Sequence, residues 1–339
     1  MKKGLIFLIG FLVGLSSCLT YFYLREKFDL ESTLTIENSL PQVNLTPYEK
    51  YYFDNLSKEA EMSGTINIGD VQRKLDGFSS FLFELRFKPE INGLLSKKTT
   101  GLINIPEGEG KFPAIIMIRG YVDQEVYTTG MGTSKAGEFF AQNDFITVAP
   151  DFLGYGGSDS ESGNIFESRF QTYVTVISLL NSLNDISKWD GENVFFWAHS
   201  NGGQVGLSVL SITGKNIPTT LWAPVTKPFP YNILYYTDES EDGGALIRKE
   251  LYMLEEKYDL NKFSFTNYLS QINAPLMIHQ GTGDDAVPEI WNLGFSNKLK
   301  KLDRDINYFS YPGGDHNMKP FWDSVIARDL DFFQKHMQN

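Results

Sequence analysis

The chain of 339 residues contains one cysteine, few histidines and less basic than acidic charge. Cys18 alone can form no internal disulfide, and it excludes a metal site built from several cysteines. Lysine and arginine total 30 against 42 acidic residues, so the formal net charge is −12. A nucleic-acid-binding protein would show a basic face, so we expect no nucleic-acid partner. Four histidines leave few candidates for a catalytic base: His199, His279, His316 and His336.

The N-terminus carries the one long hydrophobic run. The segment from Gly4 to Leu24 contains no charged residue, and it is long enough to form a transmembrane helix. Lys2 and Lys3 precede this run, so the remainder is expected on the extracytoplasmic face. Residues 15–18 (LSSC) also resemble a bacterial lipobox, in which Cys18 would be lipidated. Both interpretations tether the protein to a membrane through residues 1–24, and the apolar residues beyond the cysteine favour an uncleaved signal anchor.

The composition changes twice after this segment. Residues 25–64 are polar and are predicted to form a stalk or linker, and residues 65–339 are predicted to form the catalytic domain. Residues 78–88 and 95–106 alternate as strands do, which predicts an antiparallel hairpin at a sheet edge. From residue 113 onward, apolar runs alternate with helical stretches. This pattern indicates an α/β fold whose mostly parallel central sheet has helices on both faces.

One segment between two predicted strands is much longer than a usual connection. Residues 227–271 are rich in aromatic side chains and include an acidic, glycine-containing patch. Long insertions in compact domains are usually functional, so this segment is predicted to form a helical cap over the active site. A longer crossover with one extra packed helix is the alternative.

A serine follows the apolar run at residues 194–198. The sequence Ala198-His199-Ser200-Asn201-Gly202 reads as the end of a strand, a sharp turn and the start of a helix. It differs from the G-x-S-x-G pattern of a nucleophile turn only by alanine at the first position. Since a serine hydroxyl is a weak nucleophile, it needs a histidine to accept its proton and a carboxylate to orient that histidine.

His316 is the predicted base, because it lies in a glycine-rich loop directly after the last predicted strand. His199 follows an extended segment next to Ser200, so its side chain is expected to point away from the serine. His279 lies inside an apolar strand and is expected to be a packed core residue. His336 lies in the last turn of the terminal helix, where a cation is favourable without any catalytic role.

The acid is expected in the loop after the strand that precedes His316. Asp284 and Asp285 both lie there, and Asp284 is preferred by its position in the motif, with Asp285 as an exposed cap of the next helix. Asp315 is a weaker alternative, because adjacent residues rarely form good side-chain pairs in a loop.

The tetrahedral intermediate also needs hydrogen-bond donors for its oxyanion. The backbone N–H of Asn201 is predicted to supply one, and the backbone N–H of Tyr121, after the strand at residues 114–118, is predicted to supply the other. Arg119 lies shortly before this donor in the sequence. It is either a structural ion-pair partner or a residue facing the pocket.

The chain resembles α/β-hydrolases of the prolyl oligopeptidase and dienelactone-hydrolase-like group. The resemblance rests on five motifs: GLINIP (101–106), PDFLGYGGS (150–158), HSNGG (199–203), GTGDDAVP (281–288) and GGDHN (313–317). It implies the α/β-hydrolase fold, the triad order serine, aspartate, histidine, and acyl transfer to water without a metal or an organic cofactor.

The predicted function is therefore that of a serine hydrolase acting on a small-molecule ester or a short peptide. A peptidase of the prolyl oligopeptidase type is favoured over a carboxylesterase. An acyltransferase of the cell envelope would use the same triad. A non-catalytic surface binding protein on a hydrolase scaffold is the alternative from another class.

Overall fold

The computed structural model describes residues 47–240 and 242–338. Its centre is one nine-stranded sheet in the order β1-β2-β3-β5-β4-β6-β7-β8-β9. The strands are the following: β1 (Thr65–Leu75), β2 (Phe78–Phe87), β3 (Lys97–Pro106), β4 (Phe112–Ile118), β5 (Ile146–Pro150), β6 (Trp189–His199), β7 (Thr219–Trp222), β8 (Leu276–Gly281) and β9 (Ile306–Tyr311).

The sheet has an antiparallel edge and a parallel body. Strands β1, β2, β3 and β5 pair antiparallel, whereas β5, β4, β6, β7, β8 and β9 pair parallel. The predicted edge hairpin corresponds to β2 and β3, with Phe78 opposite Pro106. Strand β1 was not predicted, because Ile66 is its one buried residue and the rest shows no regular alternation.

Helices cover both faces of the parallel body. They are the following: α1 (Phe53–Lys58), α2 (Ser134–Ala141), α3 (Ile165–Leu180), α4 (Asn201–Thr213), α5 (Tyr231–Leu234), α6 (Ala245–Glu255), α7 (Glu289–Lys301) and α8 (Trp322–Lys335). One face packs against α3 and α4, and the other packs against α2 and α8. Strand β4 shows why both faces need cover: Ile116 lies in the first core cluster and Ile115 in the second.

The described part of the predicted stalk packs into the same core as the sheet. Tyr51, Phe53 and Leu56 belong to the hydrophobic core and are at most 1% exposed. The compact unit accordingly begins at Pro47, which moves the boundary drawn at residue 64 toward the N-terminus. Aromatic burial explains the difference, since the local sequence is polar overall.

The predicted N-terminal membrane segment lies outside the described residues. Across residues 47–240 and 242–338, no helix is both long enough and apolar enough to cross a bilayer.

The long insertion between β7 and β8 is helical. It contains α5, α6 and four short 3₁₀ turns. The Phe263 ring stacks on Phe170 of α3 at a centroid distance of 4.5 Å. The Tyr236 hydroxyl donates to the Ala286 carbonyl in the loop after β8, at 3.1 Å. The insertion is thereby joined to α3 and to the loop that carries Asp284.

Candidate active site

Ser200 occupies a strained turn between β6 and α4. Its φ of +56° and ψ of −121° are unfavourable for any residue with a side chain. Two backbone hydrogen bonds hold the turn, from Ser200 N–H to the Trp222 carbonyl at 2.9 Å and from Val225 N–H to the Ser200 carbonyl at 3.0 Å. Only glycine fits at position 202, because a Cβ on Gly202 would overlap the carbonyl oxygen of Ile118. The strand, turn and helix therefore hold the serine at the end of β6.

His316 and Asp284 form a close pair. His316 Nδ1 lies 3.0 Å from Asp284 Oδ1 and 2.9 Å from Oδ2. The Asp284 side chain is fully buried, and its Oδ1 also accepts the N–H groups of Ala286 and Val287. Burial alone would raise the pKa of Asp284, but these donors, His316 foremost, outweigh burial and hold the pKa below its ordinary value. Asp284 is therefore an ionised carboxylate that accepts a hydrogen bond from Nδ1–H of His316, which leaves Nε2 as the basic nitrogen.

The two other aspartates near the histidine make different contacts. Asp285 is exposed, and the following helix begins at Glu289 with Pro288 before it, so Asp285 does not cap that helix. Asp315 Oδ1 accepts the N–H groups of Asn317 and Lys319 and thus closes its own loop.

Ser200 is connected to His316 through contacts of Gly120 and His199. In the part of the chain that the structure describes, no hydrogen bond joins the Ser200 hydroxyl to His316. A Cβ on Gly120 would lie 3.1 Å from Ser200 Cβ and 3.4 Å from His199 Nδ1. His199 in turn contacts His316. Catalytic hydrogen bonds are often long before substrate binds, so this geometry is compatible with transfer of a proton from serine to histidine.

The expectation that His199 points away from the site is wrong. Its Nε2 lies 3.0 Å from the His316 carbonyl oxygen, and the two imidazole rings are 4.6 Å apart between centroids. Burial foremost, and then the neighbouring His316, lower the pKa of His199 to about 4. A neutral ring can donate Nε2–H to the carbonyl, so His199 supports the loop that carries His316. Alternation along a strand failed here because β6 ends at His199, where the turn reorients the side chain.

Of the two residues predicted to supply oxyanion donors, Asn201 directly follows Ser200 and Tyr121 directly follows Gly120, which approaches Ser200. Asn201 is the first residue of α4, where an N–H has no partner within the helix. Tyr121 lies in the loop after β4, and the close approach of Gly120 to Ser200 places this loop beside the serine. The Tyr121 side chain is 71% exposed, and its hydroxyl donates to Asp123 at 2.6 Å, which raises the pKa of Tyr121 to about 12.

Arg119 contacts the loop after β4, which contains Gly120 and Tyr121. Its guanidinium is buried and donates to the carbonyls of Gly120 and Asp151, each at 2.9 Å. The guanidinium carbon lies 4.0 Å from the centroid of the Tyr155 ring and 4.5 Å from that of Tyr127. Among the described residues it has no carboxylate partner, so its role is to fix the loop by backbone hydrogen bonds and cation–π contacts.

A buried series of hydrogen-bonded polar side chains contacts Asp284. The Gln280 side-chain amide donates to Asp284 Oδ2 at 3.0 Å. The Gln280 side-chain oxygen accepts a hydrogen bond from the Asn292 side-chain amide. The Asn292 side-chain oxygen in turn accepts a hydrogen bond from the Thr226 hydroxyl. This series fixes one carboxylate oxygen, and sequence reasoning missed it because its members come from three separate elements.

A second residue that sequence reasoning missed is Arg169 of α3. Its Nη1 donates to Asn201 Oδ1 at 2.9 Å. Burial lowers the pKa of Arg169, while the phenols of Tyr173, Tyr236 and Tyr155 act in the opposite direction. A signal existed in the sequence, since Arg169 is the one basic residue in the largely apolar α3.

The remaining histidines lie away from the serine. His279 is fully buried and bonds to the Tyr311 hydroxyl at 2.8 Å and to Asp329 at 2.9 Å. The Trp222 indole donates to the other Asp329 oxygen at 2.7 Å. His336 bonds to the Phe332 carbonyl at the end of α8. His279 is thus a core residue with polar partners on both ring nitrogens.

Comparison with known sequences identifies relatives of two kinds. The sequence profile of the prolyl oligopeptidase family matches residues 132–339, which is more than half of the chain. Acetyl esterase Axe7A of Xylanibacter ruminicola is 21% identical over 284 residues, or 74% of this chain and 60% of that protein. The uncharacterized peptidase YtmA of Bacillus subtilis is 22% identical over 251 residues, or 72% of this chain and 90% of that protein.

Comparison with solved structures concerns the fold. Acetyl xylan esterase 1 from Thermoanaerobacterium has a TM-score of 0.61 and 17% identity, over 85% of this chain and 99% of that chain. At such low identity the likeness shows the fold alone. It confirms the predicted α/β-hydrolase fold with a mostly parallel central sheet.

Proposed function

Because the chain belongs to the prolyl oligopeptidase family of serine hydrolases, we propose that Ser200, His316 and Asp284 hydrolyse an acyl bond of a small substrate. The contact of 2.9 Å between His316 Nδ1 and the buried Asp284 carboxylate carries this proposal. It lies at the same sheet edge as the strained turn of Ser200, which is the arrangement that nucleophilic catalysis by serine requires.

The reaction proceeds in two acyl-transfer steps. His316 Nε2 accepts the Ser200 proton as the hydroxyl attacks the carbonyl carbon, and Asp284 stabilises the imidazolium. The N–H groups of Asn201 and Tyr121 bind the oxyanion of the tetrahedral intermediate. The intermediate collapses as His316 donates its proton to the leaving group, which leaves an acyl ester on Ser200. Water, deprotonated by His316, then attacks this ester and releases the acid and free serine.

We propose an ester as the first substrate class to test. Support comes from acetyl esterase Axe7A and from acetyl xylan esterase 1, almost the whole of which aligns with this chain. A short peptide, favoured by the sequence motifs, is the second candidate. The family name and the coverage of 90% of YtmA support that candidate.

A serine-directed fluorophosphonate probe tests the proposal. We expect the wild-type chain to be labelled and Ser200→Ala to be unlabelled, with a loss of turnover of about 10⁴-fold or more. Ser324→Ala is the matched control, because Ser324 is exposed at the start of α8 and should label as wild type does. Rates on acyl esters and on peptide amides then rank the two substrates, and product analysis with added alcohols detects acyl transfer.

A folded wild-type protein that resists the probe would overturn the catalytic assignment. The non-catalytic binding protein would then be the better description.

We also propose that residues 1–24 tether the enzyme to the outer face of a membrane. The uncharged run from Gly4 to Leu24 and the preceding Lys2 and Lys3 support this proposal. Fractionation of expressing cells should place the full chain in the membrane pellet, and added protease should degrade it in intact spheroplasts. A Cys18→Ser variant that stays in the pellet would favour the signal anchor, whereas release would favour lipidation. Wild-type protein in the soluble fraction would overturn the proposal.

A further inference from the structure

Arg169 places a positive charge beside the residue that follows the nucleophile. Its Nη1 donates to Asn201 Oδ1 at 2.9 Å, and the backbone N–H of Asn201 is a proposed oxyanion donor. Tyr155, from the loop after β5, and Tyr236, from the insertion, also lie close enough to act on this guanidinium electrostatically. The charge therefore lies where α3, the loop after β5, the insertion and the start of α4 meet next to Ser200.

No carboxylate neutralises this charge among the described residues. The titratable groups that act on Arg169 are three tyrosine phenols, although the chain has 42 acidic residues. Lys50, by contrast, pairs with both Glu90 and Glu167. A partly desolvated guanidinium without a counter-ion is costly, and arginine cannot relieve the cost by losing its proton.

Arg169 also keeps most of its hydrogen-bonding capacity. A guanidinium has five N–H donors, and within the described chain Arg169 uses its bond to Asn201 alone. Arg119 differs, because it donates to two carbonyls and lies against tyrosine rings on the far side of the loop. Arg119 is thus held by the protein through both terminal nitrogens, with its buried Nε left without a partner, whereas Arg169 makes one hydrogen bond and keeps donors for a ligand.

We propose that Arg169 binds a carboxylate of the substrate, so that the enzyme prefers acyl substrates carrying a carboxylate close to the scissile bond. This inference rests on the proposed hydrolase function. The planar fork of a guanidinium suits a carboxylate because it can form two parallel hydrogen bonds. The carboxylate belongs either to the acid part of the substrate, as in a dicarboxylic half-ester, or to the alcohol or amine part, as in an acylated hydroxy acid.

Two pairs of esters separate these sources. For the acid side, ethyl hydrogen succinate is compared with ethyl levulinate, its neutral counterpart of similar shape. For the alcohol side, acetoxyacetate is compared with acetoxyacetamide. We expect kcat/KM of the wild type to favour the anionic member of one pair by about ten- to a hundredfold, the range of a hydrogen bond to a charged group. A preference for the neutral member in both pairs would overturn the inference.

Variants of Arg169 test whether this residue causes the preference. We expect Arg169→Met to bring the ratio of anionic to neutral substrate to about one and Arg169→Lys to retain part of it, because lysine keeps the charge but lacks the fork. Arg86→Met is the matched control, since Arg86 lies on β2 with its side chain 58% exposed, and it should keep the wild-type ratio. If Arg169→Met slows both members of each pair equally, Arg169 only positions Asn201 and the inference fails.

A binding measurement separates this inference from the proposed function. Calorimetry on Ser200→Ala should detect binding of ethyl hydrogen succinate or acetoxyacetate, and the added Arg169→Met change should abolish it. This result does not depend on turnover. Labelling of Ser200 by the fluorophosphonate without any anion preference or binding would support the hydrolase function and contradict the carboxylate site. Anion binding without labelling would support the carboxylate site and contradict the hydrolase function.

Discussion

Asp284 and Asp285 are neighbours in sequence but have very different surroundings. The Asp284 side chain is fully buried and accepts hydrogen bonds from His316 and from two backbone N–H groups. Asp285 is exposed to solvent. Adjacent residues of one loop are thus a catalytic candidate and a surface carboxylate. Motif position alone was a weak basis for choosing between them.

Substitution of each aspartate by asparagine tests this difference. We expect Asp284→Asn to lower kcat by about 10⁴-fold, because an amide stabilises the wrong tautomer of the histidine. Asp285→Asn should stay within about twofold of wild type, as surface substitutions usually do. Steady-state kinetics and the rate of fluorophosphonate labelling measure both. Equal losses in the two variants, or a larger loss in Asp285→Asn, would contradict the assignment of Asp284.

His199 should make folding stability depend on pH. Its pKa is about 4 in the folded protein and ordinarily 6.5, so the unfolded chain binds this proton more strongly. Stability from this group is therefore complete above pH 6.5 and falls as the pH decreases toward 4. Linkage gives a loss of about 2 kcal/mol between about pH 7 and pH 5.

The variant His199→Gln should lack this contribution. Denaturant unfolding at the two pH values should show a decrease in the unfolding free energy that is smaller than in wild type by about 2 kcal/mol. His336→Gln, at the end of α8, is the control for removal of a histidine elsewhere. An identical pH dependence in wild type and His199→Gln would show that His199 does not remain neutral in the folded state.

At the scale of elements, the short helix α1 connects parts of the domain that are distant in sequence. Phe53 is 1% exposed and packs against Tyr173 of α3 and Tyr268 of the insertion, at centroid distances of 5.9 Å and 5.2 Å. It therefore joins the N-terminal segment to a helix beside the site and to the insertion.

Truncation of this side chain should destabilise the whole domain. We expect Phe53→Ala to lower the free energy of unfolding by about 3–5 kcal/mol, because it removes buried apolar contacts and leaves a cavity. Leu95→Ala is the matched control, since Leu95 is 74% exposed and should change stability by less than about 0.5 kcal/mol. Chemical denaturation measures both, and a Phe53→Ala variant as stable as wild type would show that α1 packs only loosely.

These elements show what the sequence can and cannot predict. Largely apolar runs such as residues 114–118 and 145–149 predicted the parallel strands, because strands covered on both faces bury most of their side chains. Strand β1 and the packing of helix α1 into the core escaped prediction, because both elements lie within a polar stretch. Their positions depend on contacts with distant elements, which a local pattern does not contain.

At the scale of the whole molecule, chain order carried much of the site prediction. Ser200, Asp284 and His316 each follow a parallel strand, and parallel strands bring the loops at their carboxyl ends to one edge. The contributions of His199 and Arg169 could not be predicted in this way. The first depends on the direction of a side chain at a turn, and the second on the lack of an acidic neighbour in space among the residues that the structure describes.

The charge of the whole chain leads to one more prediction for the proposed anionic substrates. The net charge of −12 opposes their approach over long distances. Arg169 acts at short range in a partly buried site, where salt screens less. Added salt should therefore weaken the repulsion more than the attraction. We expect kcat/KM for ethyl hydrogen succinate to rise about two- to threefold between about 0.01 M and 0.15 M salt, while that for ethyl levulinate stays constant.

Initial rates at low substrate concentration measure this effect. Sodium chloride and sodium sulfate at equal ionic strength should give the same rise if screening is its cause, whereas a salt-specific decrease would reveal an anion competing at Arg169. A steep decrease with both salts, for the charged ester alone, would mean that a local basic field guides the substrate and dominates the net charge. In that case the negative charge of the chain would lie away from the entrance, and the balance argued here would be incorrect.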